Sequence, residues 1–369
     1  MTSNVHIPEI RCEVQGITGF ISLNRPKALN ALSLPMIRAL MAQLRAWHDD
    51  TAVKQVAIRG MSKPTAEGTD VPFGNFSAGG DIRFFHQAIQ TNNPELEDFF
   101  TEEYALNHLI ANYPKPYIAI MDGLVFGGGM GISQGASHRI VTERTKMAMP
   151  ETGIGLFPDV GGGYFLSRCP GFVGEYLALT GVQIGADEAI AYGLADVKVS
   201  ADSLASLWES LELQSITEIA IDKIANKSVN TPAIARIDAY FSLSTVSQII
   251  ASLDVSYQAW ELQIAATLRS RSPLMLHVVL EQIRRGRHLN LAQNLQMERG
   301  MVRHCFYTAH LGRFGNACET VEGIRALAVD KDHQPRWNPS QIGEVTNDMV
   351  APFFVSPWPD YAHPLARLV

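Results

Sequence analysis

Two carboxylates, Glu151 and Asp159, share the stretch Met-Pro-Glu-Thr-Gly-Ile-Gly-Leu-Phe-Pro-Asp-Val-Gly-Gly-Gly from Met149 to Gly163. Pro150 and Pro158 each stand directly before one of them. Proline fixes its own φ and restricts the residue before it, so both acids leave the backbone at constrained points. Neighbours such as Ile154, Leu156 and Phe157 solvate a carboxylate poorly, which raises its pKa towards acid–base work. The same composition also suits a structural turn with two surface acids. Two glycine-rich stretches offer complementary chemistry: Phe76 to Ile82 (Phe-Ser-Ala-Gly-Gly-Asp-Ile) and Gly123 to Ile132, with Gly127-Gly128-Gly129 at its centre. Bare amides at a helix start can bind an oxyanion. A helix capped by Asp81, and glycine used for tight strand-to-helix packing, are the structural alternatives. The second stretch has neither the spacing of a dinucleotide fingerprint nor that of a P-loop. His48, His86, His108 and His138 fall at no ligand spacing, so no metal is expected.

These groups must be held by a sizeable body. The chain has 369 residues, 46% hydrophobic and 18% charged, which reads as globular. A net charge of −7 and the lack of a basic block argue against nucleic acid and charged membrane surfaces as partners. No apolar run reaches membrane-spanning length. Cys12, Cys169, Cys305 and Cys318 have no paired spacing, and Met1 to Ile10 has no signal character; reduced thiols in a cytoplasmic setting are expected.

Ile10 to Leu23 reads as two strands with a turn. Ser33 caps a helix in which Met36, Leu40, Met41, Leu44 and Trp47 recur at helical spacing. Val53 to Gly60 is a strand, Met61 to Asn75 a polar loop, and Pro94 to Tyr113 a long helix. Phe99, Phe100, Tyr104, Ala105, Leu109 and Ile110 are its apolar positions, and a solvated face is the default place for Glu102 and Glu103. Strands follow at Pro116 to Met121, His138 to Thr142, Lys146 to Met149 and Ala195 to Val199, with helices between them, so the class is α/β. After a boundary near Ser200 to Asp202 the periodicity is almost wholly helical, marked first by Ile221, Ile224, Ile234 and Ile237. This divides the chain into a core over 1–200 and a helical region over 201–369. The Pro- and Trp-rich stretch after Asp330 reads as an ordered tail.

Taken jointly, these stretches resemble the crotonase (enoyl-CoA hydratase/isomerase) superfamily. The resemblance rests on Leu23-Asn24-Arg25-Pro26-Lys27-Ala28-Leu29-Asn30-Ala31-Leu32, Ser77 to Ile82, Gly127-Gly128-Gly129, Ala178-Leu179-Thr180-Gly181, Glu188-Ala189 and Gly193-Leu194-Ala195-Asp196. Within it the chain is similar to the 3-hydroxyisobutyryl-CoA hydrolases. That likeness is carried by Phe76 to Arg83, Glu102-Glu103-Tyr104, Ala148 to Thr152, Phe157 to Leu166, Met297-Glu298, Glu322 to Ala326 and Asp330-Lys331-Asp332 with Pro335 and Trp337.

The resemblance implies a spiral of β-β-α turns followed by the helical region, and hydrolysis of an acyl-CoA thioester, 3-hydroxyisobutyryl-CoA in valine degradation. It implies an oxyanion hole at the N–H groups of Ala78 and Gly128, with Glu151 and Asp159 catalytic. Glu103, Gly128, Glu151 and Asp159 would contact substrate, and Arg25 and Lys27 would lie near the CoA phosphates. CoA enters as part of the substrate, not as a cofactor, and crotonase relatives often form trimers, so a homo-oligomer is admitted. One departure discriminates. Enoyl-CoA hydratases carry a second catalytic glutamate three residues after the middle glycine of Gly-Gly-Gly, and here that position is Gly131. Hydratase or isomerase activity on the same fold, and non-catalytic acyl-CoA binding, are the alternatives.

Overall fold

The computed structural model describes residues 8–66, 68–219 and 231–369. Ile221 and Ile224, read above as helical positions, lie outside the described residues. Six strands form the main sheet: β1 (Ile10–Gln15), β2 (Thr18–Leu23), β3 (Gln55–Gly60), β4 (Tyr117–Met121), β6 (His138–Thr142) and β8 (Val197–Val199). β1 and β2 pair antiparallel as a hairpin; every later pair is parallel. Parallel neighbours need crossovers, and these carry the helices Leu34–His48, Glu95–Ala111 and Gly128–Gln134. β5 (Leu124–Phe126) and β7 (Lys146–Ala148) leave this sheet and pair as a second layer. The chain thus winds as an α/β spiral.

β5 was not expected. Its three residues lie between Gly123 and Gly127, and the composition reads as loop. Pairing with β7 and a bridge from Ser77 to Val125 make it a strand. It carries the second glycine stretch up to the first.

The last strand ends at Val199, and the described residues after it hold helices and turns. They are not a separate lobe. One hydrophobic core runs from Ile21, Leu40 and Phe99 through Phe157 and Leu166 to Ile249, Leu276, Met301 and Ile324. The helix Pro273–Gly286 packs on Val173–Thr180 and Gly162–Leu166, and the helix Leu291–Phe306 on Glu95–Ala111. The tail also docks: Leu365 is buried, and Gln296 Nε2 donates to its carbonyl at 3.0 Å. The cysteines form no disulfide, and among the described residues no helix is long and apolar enough to cross a membrane.

Candidate active site

Asp81 serves two purposes in the first glycine stretch. Its carboxylate caps the helix Ile82–Thr91 by accepting from Phe84 N–H at 3.3 Å, and it takes a charged hydrogen bond from Arg25 Nη2 at 2.7 Å. Arg25 also pairs with Glu9 at 3.1 Å and donates to the Ala31 carbonyl. The guanidinium is therefore committed to bracing the loop. Lys27 is exposed, and neither cation lines the cavity described below.

The loop's free amide is not the one expected. Ala78 lines the cavity, but its N–H is donated to the Leu29 carbonyl at 3.0 Å. Gly80 N–H has no hydrogen-bond partner among the described residues. A Cβ built on Gly128 would lie 3.3 Å from that nitrogen. Gly128 opens the helix Gly128–Gln134, where the first amides have no partner within the helix. The converging pair is thus Gly80 and Gly128, and Ala78 is corrected to a wall residue.

Three carboxyls face these amides across one cavity of about 340 Å³. Glu151 opens a 3₁₀ turn, Glu151–Ile154; Asp159 sits in the loop after it; Glu103 comes from the helix Glu95–Ala111. All three are buried, which removes the surface-turn reading. A Cβ on Gly127 would lie 2.7 Å from Glu151 Oε1, and one on Gly128 2.6 Å from Glu103 Oε1. Glycine at both positions lets the acids reach the amide loop. Glu102 does lie on the solvated face, held by Arg38 Nη2 at 2.7 Å. Glu103 points the other way, three and four residues on from the buried Phe100 and Phe99.

Burial raises the pKa of Glu103 well above the carboxylate range, and the charges of Asp159 and Glu151 add to it. Burial, then Asp159, raises Glu151 in the same way. Asp159 is also raised by burial, to about 6, but a hydrogen bond from Tyr104 Oη at 2.8 Å opposes the shift. Of the three, Asp159 is the one whose ionised form a side-chain hydroxyl supports. Neither Glu103 Oε1 nor Glu151 Oε2 has a hydrogen-bond partner. Buried oxygens left open in this way are poised for substrate or water.

The rest of the wall is apolar: Ile82, Phe85, Phe100, Phe126, Ile154, Leu156 and Val160. Two lining residues come from beyond residue 200. Leu327 lies in the π-helical turn Arg325–Val329, a form frequent at functional sites. Arg271 donates through Nε and Nη2 to the Thr180 carbonyl and has no acidic partner among the described residues. The C-terminal region therefore completes this chain's own cavity. Tyr104, Arg271 and Leu327 were given no role from sequence. Tyr104 stands in the Glu102-Glu103-Tyr104 stretch that the resemblance singled out, which was a usable signal; Arg271 and Leu327 are too distant in the chain to have given one.

Gly131 lies one turn beyond the amide pair. A Cβ there would stand 2.6 Å from Val160 Cβ and 3.0 Å from Asn107 Nδ2. The space next to this position is filled by the residue that follows Asp159.

The sequence matches the family model described as enoyl-CoA hydratase/isomerase over residues 18–354. It is 37% identical to the 3-hydroxyisobutyryl-CoA hydrolase, mitochondrial, of Xenopus tropicalis, over 92% of this chain and 87% of the relative. The human protein of the same name is 36% identical, over 92% and 86%. Among solved structures, a carnitinyl-CoA dehydratase from Mycobacterium thermoresistibile superposes with a TM-score of 0.82 at 33% identity, covering 95% of this chain and 98% of that one. An enoyl-CoA hydratase from Rhodobacter sphaeroides gives 0.84 at 32%, with the same coverage. Free amides and buried acids on a spiral sheet, with a match that runs through nearly the whole sequence, place the chain in the enoyl-CoA hydratase/isomerase family, the crotonase superfamily.

Proposed function

We propose that this protein hydrolyses the thioester of a short, branched 3-hydroxyacyl-CoA, with 3-hydroxyisobutyryl-CoA as the leading substrate. One observation carries the reading: the position of the second hydratase glutamate is Gly131, its side-chain space is taken by Val160, and a second acid enters instead as Asp159. The names of the curated relatives support it. The two solved structures, a carnitinyl-CoA dehydratase and an enoyl-CoA hydratase, stand for the alternative, hydration or dehydration on the same fold.

The thioester oxygen would accept from Gly80 and Gly128 N–H, which stabilise the charge that develops on it; one such donor is commonly worth about 3–4 kcal/mol. Glu151, ionised, either takes a proton from water or attacks the carbonyl to form an anhydride that water opens. Its raised pKa makes it the stronger base once ionised. Asp159, held as a carboxylate by the Tyr104 hydroxyl, would orient the water. In the general-base route Glu151 passes the proton it took from that water to the leaving thiolate, and in the anhydride route Asp159 takes the proton of the water that opens the anhydride. Glu103, kept neutral by burial and by its acidic neighbours, can both donate to and accept from a substrate hydroxyl. The small apolar wall suits a short branched acyl chain.

The test is thiol release from 3-hydroxyisobutyryl-CoA beside acetyl-CoA and crotonyl-CoA. Release that is fastest with the first supports the proposal. Hydration of crotonyl-CoA without thiol release would favour the alternative, and intact thioesters after long incubation with excess protein would favour a binding role. Single turnover in ¹⁸O-water separates the two routes: label in the Glu151 peptide marks the anhydride, and label only in the released acid marks the general base.

A further inference from the structure

Asp159 belongs to neither a helix nor a strand. Val160, the residue after it, has φ 55° and Gly161 has φ 88°. A β-branched residue in the left-handed region is a steric outlier, and such strain persists only where surrounding contacts over-determine it. Those contacts come from a distant element. Glu298, fully buried on the helix Leu291–Phe306, accepts Gly161 N–H on Oε2 at 2.7 Å and Gly163 N–H on Oε1 at 2.8 Å. Asn294 Nδ2 at 2.6 Å and Gln282 Nε2 at 3.1 Å donate to the same Oε1. Gln282 Nε2 also donates to the Pro158 carbonyl at 2.6 Å. The backbone is thus gripped on both sides of Asp159. Glu298 does not line the acyl cavity, so it has no direct place in the chemistry.

We propose that Glu298 is a positioning residue that holds Asp159 at the acyl cavity by clamping the backbone amides that follow it. Four donors converge on its carboxyl group, an arrangement suited to an ionised acid; burial opposes that and pushes its pKa up to about 8. Gly163 fits the same design: a Cβ there would lie 2.6 Å from Asn294 Oδ1 and 3.2 Å from Glu298 Oε1. The clamp also seats Val160 against Gly131, so it fixes one acid and keeps a second one out. The link from clamp to turnover rests on the reading of Asp159 as a working group in thioester hydrolysis.

The test compares wild type, Glu298→Gln, Asp159→Asn and the double variant in the full-length protein. Glu298→Gln keeps the volume but turns an amide N–H₂ towards groups that are themselves donors. Its amide exchange over residues 160–163 is expected to speed up at least about tenfold relative to distant helices. Its kcat for thiol release should fall by about 10- to 100-fold, as for a misplaced reacting group, with KM within about threefold. In the Asp159→Asn background the same change should cost less than about threefold, because both act through one group. Unchanged exchange over 160–163 overturns the clamp. A full multiplicative loss in the Asp159→Asn background overturns its action through Asp159. If Glu298→Gln does not fold, Asn294→Ala removes one donor to the carboxylate and should move the same quantities less far; no movement overturns the proposal. Wild type that releases no thiol from any acyl-CoA refutes the hydrolase reading, while the exchange measurement still decides the clamp.

Discussion

At the scale of single residues, three acids share one small cavity, and their surroundings give them different work. On the proposed mechanism, Glu151→Gln should reduce thiol release to background while acyl-CoA binding, measured by calorimetry, stays within a few-fold, because the amide keeps the shape and loses the proposed base. The lower limb of the wild-type kcat/KM profile should rise with pH to a midpoint well above the ordinary carboxylate range, since burial raises Glu151 and the ionised form is the reactive one. A limb centred near 4 would contradict it. The same shifts cost stability, and the sign follows from proton uptake. A carboxyl with a raised folded-state pKa binds its proton more tightly in the native chain. Its stabilising effect is full below the unfolded value and is lost as pH rises through the folded one. For Asp159, raised from 3.8 to about 6, that loss is about 3 kcal/mol by neutral pH. Glu103 is raised further than the carboxylate range and keeps one oxygen unpartnered. Glu103→Gln should therefore melt with wild type near pH 4 and about 2–6 °C above it at pH 8. Its turnover of 3-hydroxyacyl substrates should fall at both values. An equal melting temperature at pH 8 would return Glu103 to a solvated role.

At the scale of elements, the site is a set of short, glycine-dependent pieces, and this is where the sequence was legible unevenly. Periodicity located the helices Leu34–His48 and Glu95–Ala111 and the parallel strands, because each buries a regular face. Proline and glycine spacing singled out the Met149 to Gly163 stretch. The choice between Ala78 and Gly80 was not legible, since it turns on which amide Leu29 takes. Asn294 and Glu298 were visible as polar residues at i and i+4, but the loop they face lies more than a hundred residues earlier in the chain. Gly131 was legible as a missing acid, whereas its cause, Val160, required the fold. That contact yields a prediction. Gly131→Ala should destabilise by about 1–3 kcal/mol, the usual cost of overpacking a filled site, read as a lower denaturant midpoint. Gly131→Glu should be worse and should not gain crotonyl-CoA hydration, because Val160 crowds the place a catalytic glutamate would use. Hydration appearing in Gly131→Glu would show that Val160 yields, and would remove the main support for excluding a hydratase.

At the scale of the molecule, the Met149 to Gly163 stretch is enclosed between the spiral core and the C-terminal helices, and both sides hold it. Ser272 N–H donates to the Thr152 carbonyl at 3.1 Å and Thr320 Oγ1 to the Gly155 carbonyl at 2.6 Å, so the Glu151 turn is fixed from the C-terminal side. Gln282, Asn294 and Glu298 fix the Asp159 loop from that side too. Arg271 and Leu327 finish the wall. The C-terminal residues that line and hold this cavity therefore belong to the same chain as its acids, and association between copies is expected to leave that pairing in place. This can be measured by complementation. On the proposed mechanism Glu151→Gln lacks the nucleophile or base but keeps its C-terminal helices intact, and Glu298→Ala lacks the proposed clamp but keeps both acids. If the helices of one copy served the site of another, refolding the two variants together would create some sites with Glu151, Asp159 and Glu298 all in place. Up to about a quarter of wild-type activity would then return in a randomly mixed pair. The contacts above predict no gain over the average of the two variants refolded separately, at every mixing ratio. Activity that peaks near equal amounts would show that the helices exchange between copies.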